Sequence, residues 1–469
     1  MLAFFAPNGA ALRLFLDAFP LKELRKDYKI AIICREEIVS NNLKSFCNLQ
    51  KIKLIISANN TINKTNLIKR IFRNYRAYLS PSTIRNNTID DFWNIYKYEN
   101  SHGWITTIKL LLIKLAIYSG RRNREIRKLL SFLEELVTNT SYEENILTMN
   151  KITHLLTTSI SGVDCNDTMI LGCKRRGIKS ITYIQSWDNP SGNGYRLCIP
   201  NKILVYSSYM KEQLINFQDV DKKIINITGC IQYHSWINID NKSYANKRKN
   251  NNRLRVLYAG KSCKRFSYDH VYCKEVISCL KELKLDYKLI IRPHPLSLRK
   301  SNDGEFKFKN EMNDIFNIGK NNDDVDLDIE KVSGFENIYY KNNNTFNHMK
   351  ERLMGYDLII NVFSTVALEA CILNKPCINM NYETAEYKYK KFPTRKNLFI
   401  DERQFHNSSL MHAVPTAKSY ENLKLLIKEA FDFPDKRKKE MKNVSKLILG
   451  DIIDSSNKFI QEIKIFTRS

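Results

Sequence analysis

Tyr287-Lys288-Leu289-Ile290-Ile291-Arg292-Pro293-His294-Pro295 is a β-rich apolar run that stops at a proline, with a histidine held between two prolines just beyond it. Leu289, Ile290 and Ile291 follow one another without alternation, which predicts a strand buried on both faces. Pro293 and Pro295 fix the backbone where the strand stops. His294 is therefore expected at the carboxyl edge of a sheet. An imidazole there can donate to a phosphate oxygen and stabilise a departing phosphate, with Arg292 as a second cation. The plainer alternative is a structural histidine in a tight turn.

The same style of run recurs on both sides. Arg255 to Ala259 reads as a strand leading to Gly260, His270 to Lys284 as a helix, and Asp357 to Asn361 and Cys377 to Met380 as further strands. Earlier in the chain, Lys29 to Cys34, Ile52 to Ser57, Leu155 to Ser159, Ser180 to Gln185, Ile203 to Ser207 and Ile224 to Gly229 look alike. Helical patterns such as Asp167 to Arg176 and Tyr209 to Phe217 fall between them. Buried strands alternating with helices predict parallel sheets covered on both faces. In such sheets ligands bind outside the carboxyl ends of the strands.

Length fits two such domains. The chain has 469 residues, of which 43% are hydrophobic, enough for two cores. Asn238 to Arg253 has almost nothing to bury and is the expected boundary. The domains are then 1–240 and 253–445, with a C-terminal helix, 446–469, packing back on the first. Ser297 to Gly334 reads as a polar loop or insertion, Asn337 to Tyr340 as a short strand, and helices are expected from Tyr420 and from Val444.

Three more motifs sit where strands are expected to end. In Asn361-Val362-Phe363-Ser364-Thr365-Val366-Ala367-Leu368-Glu369-Ala370, Ser364 and Thr365 open a helix. Free N–H groups, the helix dipole and two hydroxyls suit an anion there, and Glu369 is a candidate for ribose hydroxyls. A plain N-cap and a solvated carboxylate are the ordinary alternatives. Gln185-Ser186-Trp187-Asp188-Asn189-Pro190-Ser191-Gly192-Asn193-Gly194 gathers acceptor-side candidates in the first half. Trp187 and Asn189 would bind a sugar, and Asp188 would act as general base on an acceptor hydroxyl. A glycine-rich turn with an Asx cap is its alternative. Tyr258-Ala259-Gly260-Lys261-Ser262 lacks the first P-loop glycine, because Arg255 stands there. Walker-type binding is excluded, while Gly260 and Lys261 stay candidates for contact with donor phosphates. His406 and His412 read as surface residues.

The net charge of +26 attracts polyanions: nucleic acid, anionic lipid or phosphorylated substrates. Asn66 to Tyr78 and Trp104 to Leu130 interleave Leu and Ile with Arg and Lys, a pattern of helices that either pack in the core or lie on an anionic membrane. No stretch is long and uncharged enough to span a bilayer, and the N-terminus lacks the basic start of a signal peptide. The 11 cysteines have no metal-ligand spacing. Asp326-Leu327-Asp328 lies in the acidic insertion and reads as chance, so no metal site is expected. The protein is read as cytoplasmic, with peripheral contact to the inner face of the membrane.

The ordering of these motifs, Ser186-Trp187-Asp188-Asn189, Leu204-Val205-Tyr206, Ile227-Thr228-Gly229, Arg292-Pro293-His294-Pro295 and Ser364-Thr365 with Glu369-Ala370, resembles bacterial GT-B enzymes of surface-carbohydrate assembly. It is similar to capsule polysaccharide transferases, sialyl- and Kdo-transferases and CDP-glycerol glycerophosphotransferases. The resemblance covers Ile181 to Met380. It implies an α/β GT-B fold of two Rossmann-like domains facing a central cleft, and a metal-independent transfer from a nucleotide-sugar donor to a glycan or lipid-linked acceptor. It also implies that His294, Ser364 and Thr365 grip the donor phosphate, with no cofactor besides that donor. A glycerophosphotransferase and a sugar-nucleotide 2-epimerase are the enzyme alternatives. A nucleic-acid-binding protein is the non-enzyme alternative, suited by the charge but without an RRM, KH or zinc pattern.

Overall fold

A computed structural model describes residues 1–57, 72, 76, 79–82, 104–161, 166–236, 253–263, 266–301, 304–329, 345–386 and 408–468. The chain divides into two compact units: unit 1 comprises Met1–His234 and Leu447–Ser469, and unit 2 comprises Ser235–Ile338 and Phe346–Lys446.

Unit 1 is built on β1 (Leu2–Ala6), β2 (Ile30–Arg35), β3 (Lys53–Ser57), β4 (His154–Thr157), β5 (Lys179–Tyr183), β6 (Lys202–Val205) and β7 (Ile225–Ile227). All pair in parallel, in the order β3-β2-β1-β4-β5-β6-β7. β1 is buried at every position, as a strand covered on both faces must be. Its helices include α1 (Trp104–Arg122), α2 (Arg124–Val137), α3 (Asn166–Arg175) and α4 (Ser208–Gln218).

Unit 2 is built on β8 (Leu254–Ala259), β9 (Tyr287–Arg292), β10 (Val325–Leu327), β11 (Leu358–Asn361), β12 (Cys377–Met380) and β13 (Thr416–Ala417). Its parallel order is β10-β9-β8-β11-β12-β13. Counted within the unit, that is the 3-2-1-4-5-6 order of a doubly wound sheet, with its switch point between β8 and β11. Its helices include α5 (Asp269–Glu282), α6 (Lys309–Lys320), α7 (Thr345–Met354), α8 (Val366–Ile372), α9 (Tyr420–Asp432) and α10 (Lys438–Leu449), whose last turn belongs to unit 1. The core joins α5 and α9 to the strands, from Val256 and Leu289 to Leu423 and Ile427.

The chain closes with α11 (Ser455–Arg468), which packs on unit 1. The Phe459 ring packs at a tilt 4.6 Å from that of Phe19 and edge-on 5.7 Å from that of Tyr183. Glu462 bonds Lys202 at 2.9 Å and Asn226 at 2.8 Å. Gly450 makes this return possible: its φ is +70°, and a Cβ there would sit 2.0 Å from the Tyr206 carbonyl.

Several expectations change. Ser297 to Gly334 is not a plain loop. It contains α6, which buries Met312, Ile315 and Ile318 on one face, and β10, which extends the sheet beside β9. Asp326 and Asp328, read as loop residues, lie on and just after β10, where Asp326 pairs with Lys288 at 2.8 Å. Val444 begins no helix; it lies inside α10, which ends at Leu449 before Gly450. The expected strand Asn337 to Tyr340, His406, nearly all of Asn66 to Tyr78 and most of the linker Asn238 to Arg253 lie outside the described residues.

The basic helical region is fixed by buried ion pairs. Arg76 donates to Glu134 at 2.6 Å, Asp167 at 2.8 Å and the Tyr195 carbonyl at 2.7 Å. Arg127 forks onto Asp219 with two bonds of 2.7 Å, and the Tyr195 hydroxyl donates to the same carboxylate at 2.8 Å. Burial pushes the Asp219 carboxyl up, but the Arg127 and Tyr195 bonds outweigh it and hold it below its ordinary value. These two arginines are structural and do not face a membrane.

Candidate active site

β9, β8 and β11 are neighbours, and Arg292, Ala259 and Asn361 stand level with one another in the final row of their pairing. His294, Lys261 and Phe363 each follow that row by two residues. With strands about 4.8 Å apart, three separate motifs leave the sheet side by side at its carboxyl edge, around the switch point.

Hydrogen bonds tie the three loops together. The Gly260 amide donates to the Arg292 carbonyl at 2.9 Å. The Ser297 amide donates to the His294 carbonyl at 2.8 Å, and Ser297 Oγ accepts from the Cys263 amide at 2.9 Å. On the other side, Lys261 Nζ donates to the Phe363 carbonyl at 3.3 Å. Gly260 is needed at this junction, because a Cβ would meet Asp269 Oδ2 at 3.0 Å and the Arg292 carbonyl at 3.3 Å.

His294 is half-buried, and its Nδ1 accepts from the Leu296 amide at 3.1 Å. The neutral ring therefore carries its proton on Nε2. Asn361, fully buried, accepts the Ser364 amide on Oδ1 at 2.9 Å. Between them Phe363 has a φ of +47°. An aromatic residue in the left-handed region is a strained turn of the kind that gathers at functional sites. Ser364 Oγ accepts from the Val366 amide at 3.2 Å. Thr365 is exposed and caps α8 with no side-chain bond to the helix. Glu369 is half-buried one turn on.

Two of the residues expected to contact the donor are engaged within the fold. Lys261 is 6% exposed and bound to the Phe363 carbonyl, so it braces the switch point. Arg292 turns to α7 and β10, with Nη1 3.0 Å from Met349 Sδ and Nε 3.9 Å from Asp328. Beneath them is a residue that sequence reasoning missed. Asp269, the first residue of α5, accepts the Tyr258 hydroxyl at 2.8 Å and the Lys261 amide at 2.9 Å. Burial pushes its carboxyl up, the Tyr258 and Lys261 bonds pull it down, and it settles at about 7. An acid at a helix start is so ordinary that only its place eight residues after Lys261 hinted at more.

The acceptor-side motif lies in unit 1 after β5. Trp187 is 4% exposed and Asn189 is 8% exposed, so neither offers the open face expected of a sugar platform. The loop is packed from behind by Gln218, whose Nε2 donates to the Pro190 carbonyl at 2.7 Å and the Gly194 carbonyl at 2.8 Å. Asp188 is half-buried and accepts from Ser186 Oγ. His412 is exposed in the short helix Ser408–Ala413. Among the described residues no group of three His, Cys, Asp or Glu side chains is arranged to hold a metal ion.

No protein-family model matches this sequence, and no curated protein is a significant match to it. Solved structures do match the fold. UDP-GlcNAc 2-epimerase from Neisseria meningitidis aligns over 99% of this chain and 99% of its own, with 12% identity and a TM-score of 0.51. S. aureus MnaA, solved with UDP, aligns over 100% and 96%, with 11% identity and a TM-score of 0.53. The chain has the two-domain α/β fold of GT-B enzymes. The expected fold class holds, and at this identity the likeness extends to the fold alone.

Proposed function

We propose that this chain is a nucleotide-sugar-dependent glycosyltransferase that holds the donor phosphate at the carboxyl edge of unit 2. The observation that carries the reading is the level ending of β9, β8 and β11, which delivers His294, Ser364 and Thr365 to one edge at the switch point. His294 donates from Nε2 to a phosphate oxygen, the hydroxyls of Ser364 and Thr365 donate to others, and the start of α8 adds a favourable dipole. Together they stabilise the negative charge of the departing nucleotide. Glu369 is the candidate for ribose hydroxyls, Asp188 for the general base in unit 1, and the acceptor is a surface glycan or its lipid-linked precursor.

The test is a thermal-shift panel of CMP-, CDP-, UDP- and GDP-linked donors on the wild type and on His294→Ala. One donor class is expected to stabilise the wild type, and the variant is expected to lose roughly a hundredfold or more in turnover. Equal stabilisation and turnover in both proteins would remove the reading.

A second reading, a sugar-nucleotide 2-epimerase, is favoured by the full-length likeness to UDP-GlcNAc 2-epimerases. Product analysis with labelled UDP-N-acetylhexosamine and CDP-glycerol separates the readings. A C2 epimer formed without acceptor supports the epimerase, and nucleotide release that requires an acceptor supports the transferase.

A further inference from the structure

α2 is turned inside out. Its fully buried residues are polar: Arg127, Ser131 and Glu134 are bonded to Asp219, the Arg196 carbonyl and Arg76, while Leu130 packs half-buried against Leu79 and Tyr195. Its outward face is apolar. Leu129 is 55% exposed, Phe132 55% and Leu136 62%, at a spacing that places them in one stripe. A helix in an ordinary soluble domain does the reverse.

α1, just before it, repeats the pattern. Ile108, Leu111, Leu112 and Leu115 recur at positions i, i+3, i+4 and i+7, and all are exposed, Leu115 at 64%. Isolated exposed apolar residues need no explanation, but stripes on two consecutive helices mark a contact surface.

The charges beside the stripes select the partner. Arg121 and Arg122 end α1 and Arg124 opens α2, all exposed. From Trp104 to Val137 the sequence has Lys109, Lys114, Arg121, Arg122, Arg124, Arg127 and Lys128 against Glu125, Glu134 and Glu135. Arg127 and Glu134 are already neutralised in buried pairs, Arg124 lies 3.6 Å from Asp219, Lys128 pairs with Glu125 and Glu135 pairs with Lys174, which leaves Arg121 and Arg122. What remains is a cationic rim around Leu and Phe side chains, the pattern of a helix lying in the plane of an anionic membrane surface. No described helix is long and apolar enough to cross a membrane, so this contact lies on the bilayer.

We propose that α1 and α2 dock unit 1 on an anionic lipid surface, with Leu129, Phe132 and Leu136 entering the headgroup region and Arg121 and Arg122 pairing with lipid phosphates. The donor edge belongs to unit 2 and shares no residue with this face, so either can be removed without the other.

The experiment is flotation of the full chain with phosphatidylcholine vesicles, with and without phosphatidylglycerol, at low and high salt. Wild type is expected to float with the phosphatidylglycerol vesicles and to fall away at high salt. Leu129→Ser/Phe132→Ser/Leu136→Ser is expected to lose flotation about tenfold or more, with melting temperature and nucleotide response unchanged because all three side chains are exposed. Arg121→Gln/Arg122→Gln is expected to weaken flotation at low salt. Wild type that floats with neither vesicle, or a triple variant that floats as well as wild type, would overturn the proposal. So would light scattering that finds a wild-type dimer split by the triple variant without any flotation, since the face would then be covered by a second copy.

Discussion

Lys261 Nζ and the Phe363 carbonyl meet at 3.3 Å, both residues buried, and so couple the ends of β8 and β11 across the switch point. The bond holds a backbone that is otherwise under strain, since Phe363 sits at a φ of +47°. It explains why a lysine that follows a glycine at the carboxyl edge of the sheet is turned away from solvent.

Lys261→Met keeps most of the aliphatic stem and removes the donor. The Phe363 carbonyl then loses a partner in a buried setting, a cost of about 1–3 kcal/mol. Urea unfolding should report that loss. Affinity for the nucleotide donor should fall as well, because the Ser364-Thr365 turn loses its brace. A variant with unchanged unfolding would mean that the turn is held by Asn361 alone.

Ser364 and Thr365 should separate under alanine substitution. Ser364→Ala removes both the bond from the Val366 amide and a hydroxyl for phosphate, so stability should drop by about 1 kcal/mol and donor binding should weaken. Thr365 is exposed and makes no capping bond, so Thr365→Ala should leave the melting temperature unchanged while donor binding weakens. Calorimetry and titration on the same preparations would check this. Full donor affinity in Thr365→Ala would take that hydroxyl out of the site.

The sequence made some of this legible. Strands such as β1, β2, β9 and β11 are covered on both faces, and that burial writes continuous apolar runs into them. Pro293 and Pro295 flagged the edge because proline limits backbone choice locally. β10 and β13 were not readable, because Val325–Leu327 and Thr416–Ala417 are too short to show a period. α6 was hidden among Asn, Lys and Asp residues that solvate its outer face. The roles of Lys261 and α2 were out of reach for another reason. Lys261 finds its partner 102 residues away. The stripes of α2 have a clear period, but which stripe faces inward is decided by Arg76, Arg196 and Asp219, far off in the chain.

The Arg127–Asp219 fork should be the costliest single pair to break in unit 1. Arg127→Leu would leave the buried Asp219 carboxylate with only the Tyr195 hydroxyl and Arg124, 3.6 Å away, at a cost of roughly 3–5 kcal/mol. Replacing both partners, Arg127→Leu with Asp219→Leu, should recover part of that loss, because no uncompensated charge remains. Chemical unfolding of the single and double variants decides it. A double variant no more stable than the single would assign the loss to packing of α2 and not to charge.

Asp269 should make the stability of unit 2 depend on pH. Its carboxyl sits at about 7 in the folded chain, against 3.8 for a free aspartate. Between those two values the folded form keeps a proton that the unfolded form gives up. This contribution is therefore present at the acid end, is lost as pH rises from about 4 to about 7, and is flat above. The displacement corresponds to roughly 4 kcal/mol at most. Asp269→Asn carries no such proton and can still accept from the Lys261 amide while donating to Tyr258. The melting temperatures of wild type and variant should then diverge from pH 5 to about pH 7, with the wild type losing ground, and keep a constant gap above it. Comparing the two proteins cancels His154 and His270, whose burial lowers their pKa and makes stability rise with pH in the same range. Parallel pH profiles would show that Asp269 is already ionised at acid pH and that its two hydrogen bonds outweigh its burial.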